Sequence, residues 1–336
     1  MKPEQFGQLL SGYLVEHLAG RMNMSSNTIR SYRDTFVILL RYCRDAVGKP
    51  PERLCLKDID THLITSFLEY LENERRCSPS TRNQRLAAIH SFMRYVQIEH
   101  PDSFLECQRI LLIPSKRHES REVAHLNTDE LAAILAQPNL GSQSGRRDAV
   151  LLSLIYDTGA RVQEISDLKV KDIRLDPPAQ VRLTGKGQKV RHVPLMQKTV
   201  GILKHYLNEN GLDHPGCLEI PVFQNRYGNA LSRSGMRYIL LKYVEQAHNS
   251  GSNIRERVTP HTLRHTKAMH LLQAGNPLVV IQKILGHVDI KTTEIYARAD
   301  MNMKRQALEK IADISPSPNI PTWQNNRDLM DWLRKL

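Results

Sequence analysis

Apolar residues return every three or four positions through most of the first 112 residues, the spacing of helices with one buried face. Four segments carry the pattern. The first runs from about Glu4 to Ala19. The second, "SSNTIRSYRDTFVILLRYCRDAVG", has Ser25 or Ser26 to cap it and Gly48 to stop it. "DIDTHLITSFLEYLENE" follows, starting near Asp60 or Thr61, with Leu63, Phe67 and Leu71 as its stripe. The fourth, "SPSTRNQRLAAIHSFMRYVQIE", has Pro79 in its first turn, Pro101 just past its end, and Ile89, Phe92 and Val96 on one face. These segments predict a small bundle of four or five helices.

The periodicity stops at "IPSKRHESREVAHL", residues 113–126, which is polar and charged and reads as an interdomain linker. Beyond it, "NTDELAAILAQ" spaces Asn127 and Glu130 as a capping box would. Further helices are expected around 197–210, 233–249, 262–274, 277–285 and 289–298. One segment interrupts them. "AQVRLTGKGQKVRHVPL" reads as two short strands joined through Gly185, Lys186, Gly187 and Gln188, a hairpin. A proline-rich spacer, "ISPSPNIPTW", leads to a last amphipathic helix in which Leu329, Trp332, Leu333 and Leu336 share a stripe. The expected division is 1–112, a helical bundle; 113–126, a linker; 127–312, a second and mostly helical domain; and 313–336, a tail.

Composition narrows the possible partners. Forty percent hydrophobic content supports globular folding, and no stretch approaches the ~18 apolar residues of a membrane span. The N-terminal segment carries glutamates and a histidine, unlike a signal peptide. Five scattered cysteines without a CxxC pair argue against a disulfide framework and fit a reducing cytosol. Lys plus Arg outnumber Asp plus Glu by 47 to 35, giving +12. Such an excess suits a polyanion, because a lysine or arginine placed on a phosphate releases condensed counterions. It equally suits an ordinary basic surface.

The densest chemistry is "PHTLRH" at 260–265, two histidines and an arginine within little more than one helical turn after a proline. It belongs to an ordered set with "TGARVQEISDL" at 158–168, "TGKGQKVRHVPL" at 184–195 and "ILGHVDIKTTEIYARAD" at 284–300. The set resembles the tyrosine site-specific recombinases, the family of phage integrases, and the resemblance covers nearly the whole chain. It implies a mainly α, two-domain C-shaped DNA clamp: an N-terminal helical core-binding (SAM-like) domain and a catalytic domain that holds the small β-hairpin.

Residue by residue, Arg161 of "TGAR" matches the family's first catalytic arginine and Lys186 of "GKG" its hairpin lysine. His261 and Arg264 match the named positions of the H-x-x-R signature. His287 of "LGH" matches the later histidine, Tyr296 the nucleophile, and Glu164 a supporting acidic residue. The resemblance further implies a 3′-phosphotyrosyl intermediate, four protomers on two sites, and neither metal nor ATP. "HTKAMHLLQAG" and "TTEIYARAD" are similar to integrases of mobile elements.

These assignments also stand as chemistry. His261 and Arg264 are three apart and share one helix face. Two arginine forks, Arg161 and Arg264, fit the non-bridging oxygens of a phosphate and the charge of a five-coordinate transition state. A phenol with a pKa near ~10 needs cationic surroundings or a base, and His261 is a candidate for its proton. Lys186 at a hairpin tip is placed to protonate the leaving 5′-oxygen.

Plainer readings apply to each residue alone. A helical tyrosine is usually a packing residue, "GKG" can be only a turn, and His270 continues an apolar stripe. Zinc on His261, His265 and His287 is conceivable by spacing, though HxxxH here lacks a metalloprotease glutamate. Arg30, Arg33, Arg41, Arg82 and Arg85 on the second and fourth helices, with Lys116, Arg117 and Arg121 of the linker, are candidate DNA contacts that could equally be solvated. The tail could dock on a neighbouring protomer or on its own domain. The reading is therefore a cytoplasmic, nucleoid-associated recombinase or integrase of double-stranded DNA, acting as a homo-tetramer, with sister recombinases or DNA-bending accessory proteins as possible partners. A dimer resolvase, a type IB topoisomerase and a catalytically idle DNA-binding protein are the alternatives.

Overall fold

The computed structural model describes residues 6–117, 124–254 and 257–287, and positions 289, 293, 294, 296, 331, 333 and 334. The chain divides into two compact units, Met1–Arg121 and Glu122–Leu336. Each has a hydrophobic core of its own.

The first unit contains α1 (Phe6–Ser11), α2 (Ser26–Asp45), α3 (Thr61–Asn73), α4 (Pro79–Glu99) and α5 (Phe104–Leu111). The single first helix expected from periodicity is instead α1 followed by a π-helical stretch, Gly12–Arg21. Side-chain caps start α2, α3 and α4. Ser25 accepts from the Thr28 amide at 3.3 Å, Asp60 from Leu63 at 2.7 Å and Ser78 from Thr81 at 3.3 Å, each satisfying a donor left over at a helix start. Four rings close the core: Phe92 lies 5.4 Å from Phe6, 5.2 Å from Tyr13 and 5.2 Å from Phe36, centroid to centroid. The chain leaving α5 is fastened back onto α4. The Asn83 amide exchanges hydrogen bonds with both backbone groups of Lys116, at 2.8 and 3.0 Å, and Arg82 Nη1 donates to the Pro114 carbonyl at 3.1 Å.

The second unit comprises α6 (Thr128–Leu135), α7 (Gln143–Thr158), α8 (Val162–Ser166), α9 (Gln197–Glu209), α10 (Arg233–Asn249), α11 (Pro260–Gln273) and α12 (Leu278–Leu285), with strands β1 (Ile173–Arg174), β2 (Gln180–Thr184) and β3 (Val190–Pro194). Asn127 and Glu130 form the complete capping box, each bond at 2.8 Å. The expected hairpin is β2–β3, with Val181 opposite Val193 and Leu183 opposite Arg191. The two-residue β1, too short to leave a periodicity, extends it to a three-stranded antiparallel sheet. The chain enters α6 through Leu126, whose amide donates to Thr266 Oγ1 at 3.0 Å and whose carbonyl meets His270 Nε2 at 3.0 Å. His270 Nδ1 lies 2.9 Å from the Tyr156 hydroxyl, so this histidine serves packing, as its place on an apolar stripe suggested. Among the described residues, no helix is long and apolar enough to cross a membrane.

Phe92 is fully buried at the meeting point of the four rings. Phe92→Ala is expected to destabilise the first unit by about 3–5 kcal/mol, read as a lower urea midpoint of its transition in the full chain.

Candidate active site

The site begins where α7 ends. Gly159 there has φ of 55°, and a Cβ on it would stand 2.5 Å from the Leu285 side chain, so both backbone and space demand glycine. Two residues later, Arg161 precedes α8. Its amide donates to Glu164 Oε2 at 2.8 Å and its Nη1 to Oε1 at 3.1 Å. The same carboxylate receives the fork of Arg191 from β3, at 3.0 and 2.7 Å. Arg191 Nε continues to the Ile284 carbonyl at 2.9 Å. One buried carboxylate thus ties α8, β3 and the end of α12 together. Burial opposes its charge, but the hydrogen bonds and charge of Arg191, with those from Arg161, outweigh it and hold Glu164 below the usual carboxylate range.

Arg191 had no role in the sequence reading. Its signal was an arginine two residues before Val193, on the strand face that turns inward. A charge there needs a buried partner, and Glu164 is that partner. Gly286, at φ 67°, lets Arg191 pass: a Cβ would stand 2.9 Å from Arg191 Cδ.

Thr259 caps α11 by accepting from the Thr262 amide at 3.1 Å, and Pro260 occupies its first turn. This helix presents His261, Arg264 and His265. Arg264 is only 3% exposed. Its Nη1 donates to the Gly159 carbonyl at 2.6 Å and its Nη2 to Leu285 at 2.7 Å. Both carbonyls lie at helix C-termini, where the backbone dipoles favour a cation. Burial first, and the charge of Arg161 second, lower Arg264 to about 10, so it remains charged at neutral pH. The two bonds use only part of the guanidinium donor set. Arg161, with a side chain 36% exposed, offers a second fork.

Tyr296 is 2% exposed and packs with Ala268, Met269, Leu272, Ile281 and Leu285. Its hydroxyl lies 2.7 Å from His265 Nδ1. Its ring is 5.6 Å from that of His265 and 6.3 Å from that of His287. His287 Nδ1 in turn contacts Thr293 Oγ1 at 2.9 Å. The His261 ring, the expected neighbour of the phenol, is instead 6.5 Å from His265. The side chain hydrogen-bonded to the tyrosine is therefore His265, which by sequence stands out only in the zinc spacing. Its four-residue spacing from His261 was the available signal.

Burial and neighbouring cations lower all three histidines. His265 falls to about 4 through burial, His261 and Arg264, and His287 to about 4 through burial, Arg264 and Arg161. His261 is lowered by burial, Arg264 and Arg161. Burial raises Tyr296 above the ordinary phenol, against the pull of Arg264 and Arg161. Neutral imidazoles beside fixed guanidinium charge make an environment suited to an anion.

Lys186 lies by its backbone in the turn Lys186–Gln188 between β2 and β3, where Gly187 has φ of 74°. Its side chain is outside the described part of the molecule. Among the described residues no three His, Cys, Asp or Glu side chains gather in a cluster that could hold a metal. Of the candidate DNA contacts, Arg30, Arg33 and Arg41 are exposed on α2, with Arg33 paired to Asp34 at 2.8 Å. Arg85, half-buried, reaches Thr35 Oγ1 at 3.5 Å and lines a cavity of about 250 Å³ with Arg30, Ser31 and Gln84. Arg82 needs correction: it is 7% exposed and its Nη1 donates to the Pro114 carbonyl and to Asn83 Oδ1, which makes it a strut instead of a phosphate contact. Lys116 Nζ pairs with Glu72 at 2.7 Å, and Arg117 is exposed. Arg121 and nearly all of the tail, 313–336, lie outside the described residues.

Residues 124–303 match the phage integrase family, and residues 14–100 match the phage integrase N-terminal SAM-like domain. The chain belongs to the phage integrase family of tyrosine recombinases. As such it is an enzyme that breaks and rejoins DNA strands. It is 40% identical over 315 residues to a Sinorhizobium fredii chain named integrase/recombinase y4rC, covering 94% of each. It is 33% identical over 288 residues to the tyrosine recombinase XerD of Staphylococcus epidermidis, covering 84% of this chain and 91% of that one. Among solved structures, the XerH recombinase in its post-cleavage complex with a palindromic difH substrate is similar at a TM-score of 0.69 and 25% identity, covering 90% of this recombinase and 84% of XerH. The Tn1549 transposon integrase shares the fold at a TM-score of 0.68 and 16% identity, over 91% and 98% of the two chains.

Glu164→Gln is expected to cost about 3–5 kcal/mol at neutral pH, because it leaves Arg191 and Arg161 without their buried counter-charge. Glu164 is depressed in the folded state, so its stabilisation is present above the ordinary carboxylate pKa and lost as pH falls through the folded value. The gap between wild type and variant in thermal unfolding should therefore shrink in acid. A constant gap would contradict the ion-pair account.

Proposed function

We propose that Tyr296 is the nucleophile of a site-specific recombinase that cleaves duplex DNA through a 3′-phosphotyrosyl intermediate. The observation that carries the reading is the setting of the Tyr296 hydroxyl, bonded to His265 and within the field of Arg264 and Arg161. Arg161 and Arg264 would take the non-bridging oxygens of the scissile phosphate and stabilise its additional transition-state charge. His261 and His287 flank that anion, Glu164 and Arg191 hold Arg161 and β3 in register, and Lys186 protonates the leaving 5′-oxygen. As the Oη–P bond forms, the P–O5′ bond breaks. The phosphodiester energy is kept in the protein–DNA link, so the chemistry asks for neither metal nor ATP.

The substrate is double-stranded DNA at specific sites, a reading supported by XerH having been solved on a difH substrate. Both units would contact it. Arg30, Arg33, Arg41 and Arg85 would contact it from the first unit, with Lys116 and Arg117 alongside. A homo-tetramer on paired sites, with sister recombinases or bending proteins where the site requires them, would complete exchange at the cytoplasmic nucleoid. Integration, excision or transposition of a mobile element is favoured over dimer resolution. The integrase/recombinase relative, at 40% identity, is nearer than the Xer relative at 33%.

Mixed with DNA flanking its own gene and quenched with SDS, the wild-type protein should form a covalent adduct that Tyr296→Phe abolishes and a chelator leaves unchanged. Loss of the adduct on chelation, or its persistence in Tyr296→Phe, would refute the reading. Arg85→Ala should weaken DNA binding and lower the slope of log affinity against log salt by about 1. Arg82→Ala should instead lower thermal stability, since its bonds are internal.

A further inference from the structure

We propose that His265, and not His261, accepts the Tyr296 proton during strand cleavage, as a catalytic residue in direct contact with the attacking oxygen. The inference rests on the reading of Tyr296 as nucleophile and names the partner of that step. Its Nδ1 is 2.7 Å from the hydroxyl, inside the roughly 2.6–3.2 Å span of direct proton transfer. The alternatives are placed otherwise. His287 faces the tyrosine ring, but its Nδ1 is engaged with Thr293. His261 stands one turn earlier on α11, with its ring 6.5 Å from that of His265. The position of His265 is fixed by its neighbour: Arg264 bonds the Gly159 and Leu285 carbonyls and so holds α11 against α7 and α12.

In the protein alone the proton stays on the phenol, because burial raises Tyr296 and burial, His261 and Arg264 lower His265. A phosphodiester seated between Arg161 and Arg264 changes both sides of that balance. Its charge offsets the guanidinium charges, which favours a proton on His265, and the phenolic oxygen becomes strongly acidic as it bonds to phosphorus. The step balances. The Oη–H bond breaks and Nδ1–H forms, an oxygen electron pair makes Oη–P, and P–O5′ breaks with its pair on the 5′-oxygen, which takes a proton from a second donor. The imidazolium so formed shares the pocket with His261 and Arg264 of α11, Arg161 before α8, His287 beyond α12 and Arg191 of β3. The phosphate anion supplies the compensating charge.

The test follows adduct formation by the full-length protein on a nicked trap substrate from its own flanking DNA, across the neutral pH range. His265→Gln keeps an acceptor for the phenol but cannot hold the proton. It is expected to slow the adduct about 10²–10⁴-fold while DNA affinity stays at wild-type level, with a rate that climbs with pH as hydroxide takes over. A more acidic, fluorinated tyrosine at 296 should recover much of the loss in His265→Gln. A substrate with a sulfur leaving group, which needs no protonation, should recover none of it. Wild-type rates in His265→Gln, faster cleavage, or full recovery with the sulfur substrate would each overturn the proposal. The last would reassign His265 to the leaving group, and the second would make it a latch on the tyrosine. If the wild type itself forms no adduct while binding DNA, the nucleophile reading falls, and this proposal with it.

Discussion

The pairing of Arg161 with Arg191 in the second unit depends on one buried carboxylate, Glu164. The site must keep guanidinium groups close together and partly out of water before any phosphate arrives, a state their mutual repulsion opposes. Glu164 relieves that repulsion from beneath, accepting both arms of Arg191 and one of Arg161. Arg264 is handled differently, by carbonyls at two helix ends. A carboxylate on the substrate side would have cancelled the field; one behind the arginines preserves it for the ligand.

This division explains why the histidines stay neutral. They share a low-dielectric pocket with fixed positive charge, and each added proton would bring further repulsion. Neutral rings can donate or accept as a reaction requires. Arg264 carries a second consequence. Because it joins the ends of α7 and α12, replacing it disturbs architecture as well as chemistry. Lost activity in such a variant is no measure of transition-state stabilisation alone.

Much of this was legible from residue order. Caps at Ser25, Asp60 and Asn127 are local signals, since a side chain three residues from an amide needs no tertiary context, and all three are present. The grouping of Arg161, His261, Arg264, His287 and Tyr296 followed from motif order. Contacts decided by the third dimension were hidden. Arg191 is one charged residue among many until Leu183 is set opposite it and Glu164 beneath. His265 and His261 are equivalent on paper, and only the approach of Tyr296 separates them. Arg82 and Arg85 are likewise indistinguishable by spacing, yet the chain returning past Pro114 buries the first and leaves the second half-open.

Leu126 shows how the second unit is attached to the chain before it. Its amide and its carbonyl are both bound to α11, at Thr266 and His270, so the chain is fastened to this helix just before α6 begins. Tension that reaches Leu126 is passed to the helix that carries the reactive side chains. It acts there in shear, on two bonds of 3.0 Å at Thr266 and His270, within two turns of Arg264. The anchorage of the unit and the alignment of its chemistry are one mechanical element.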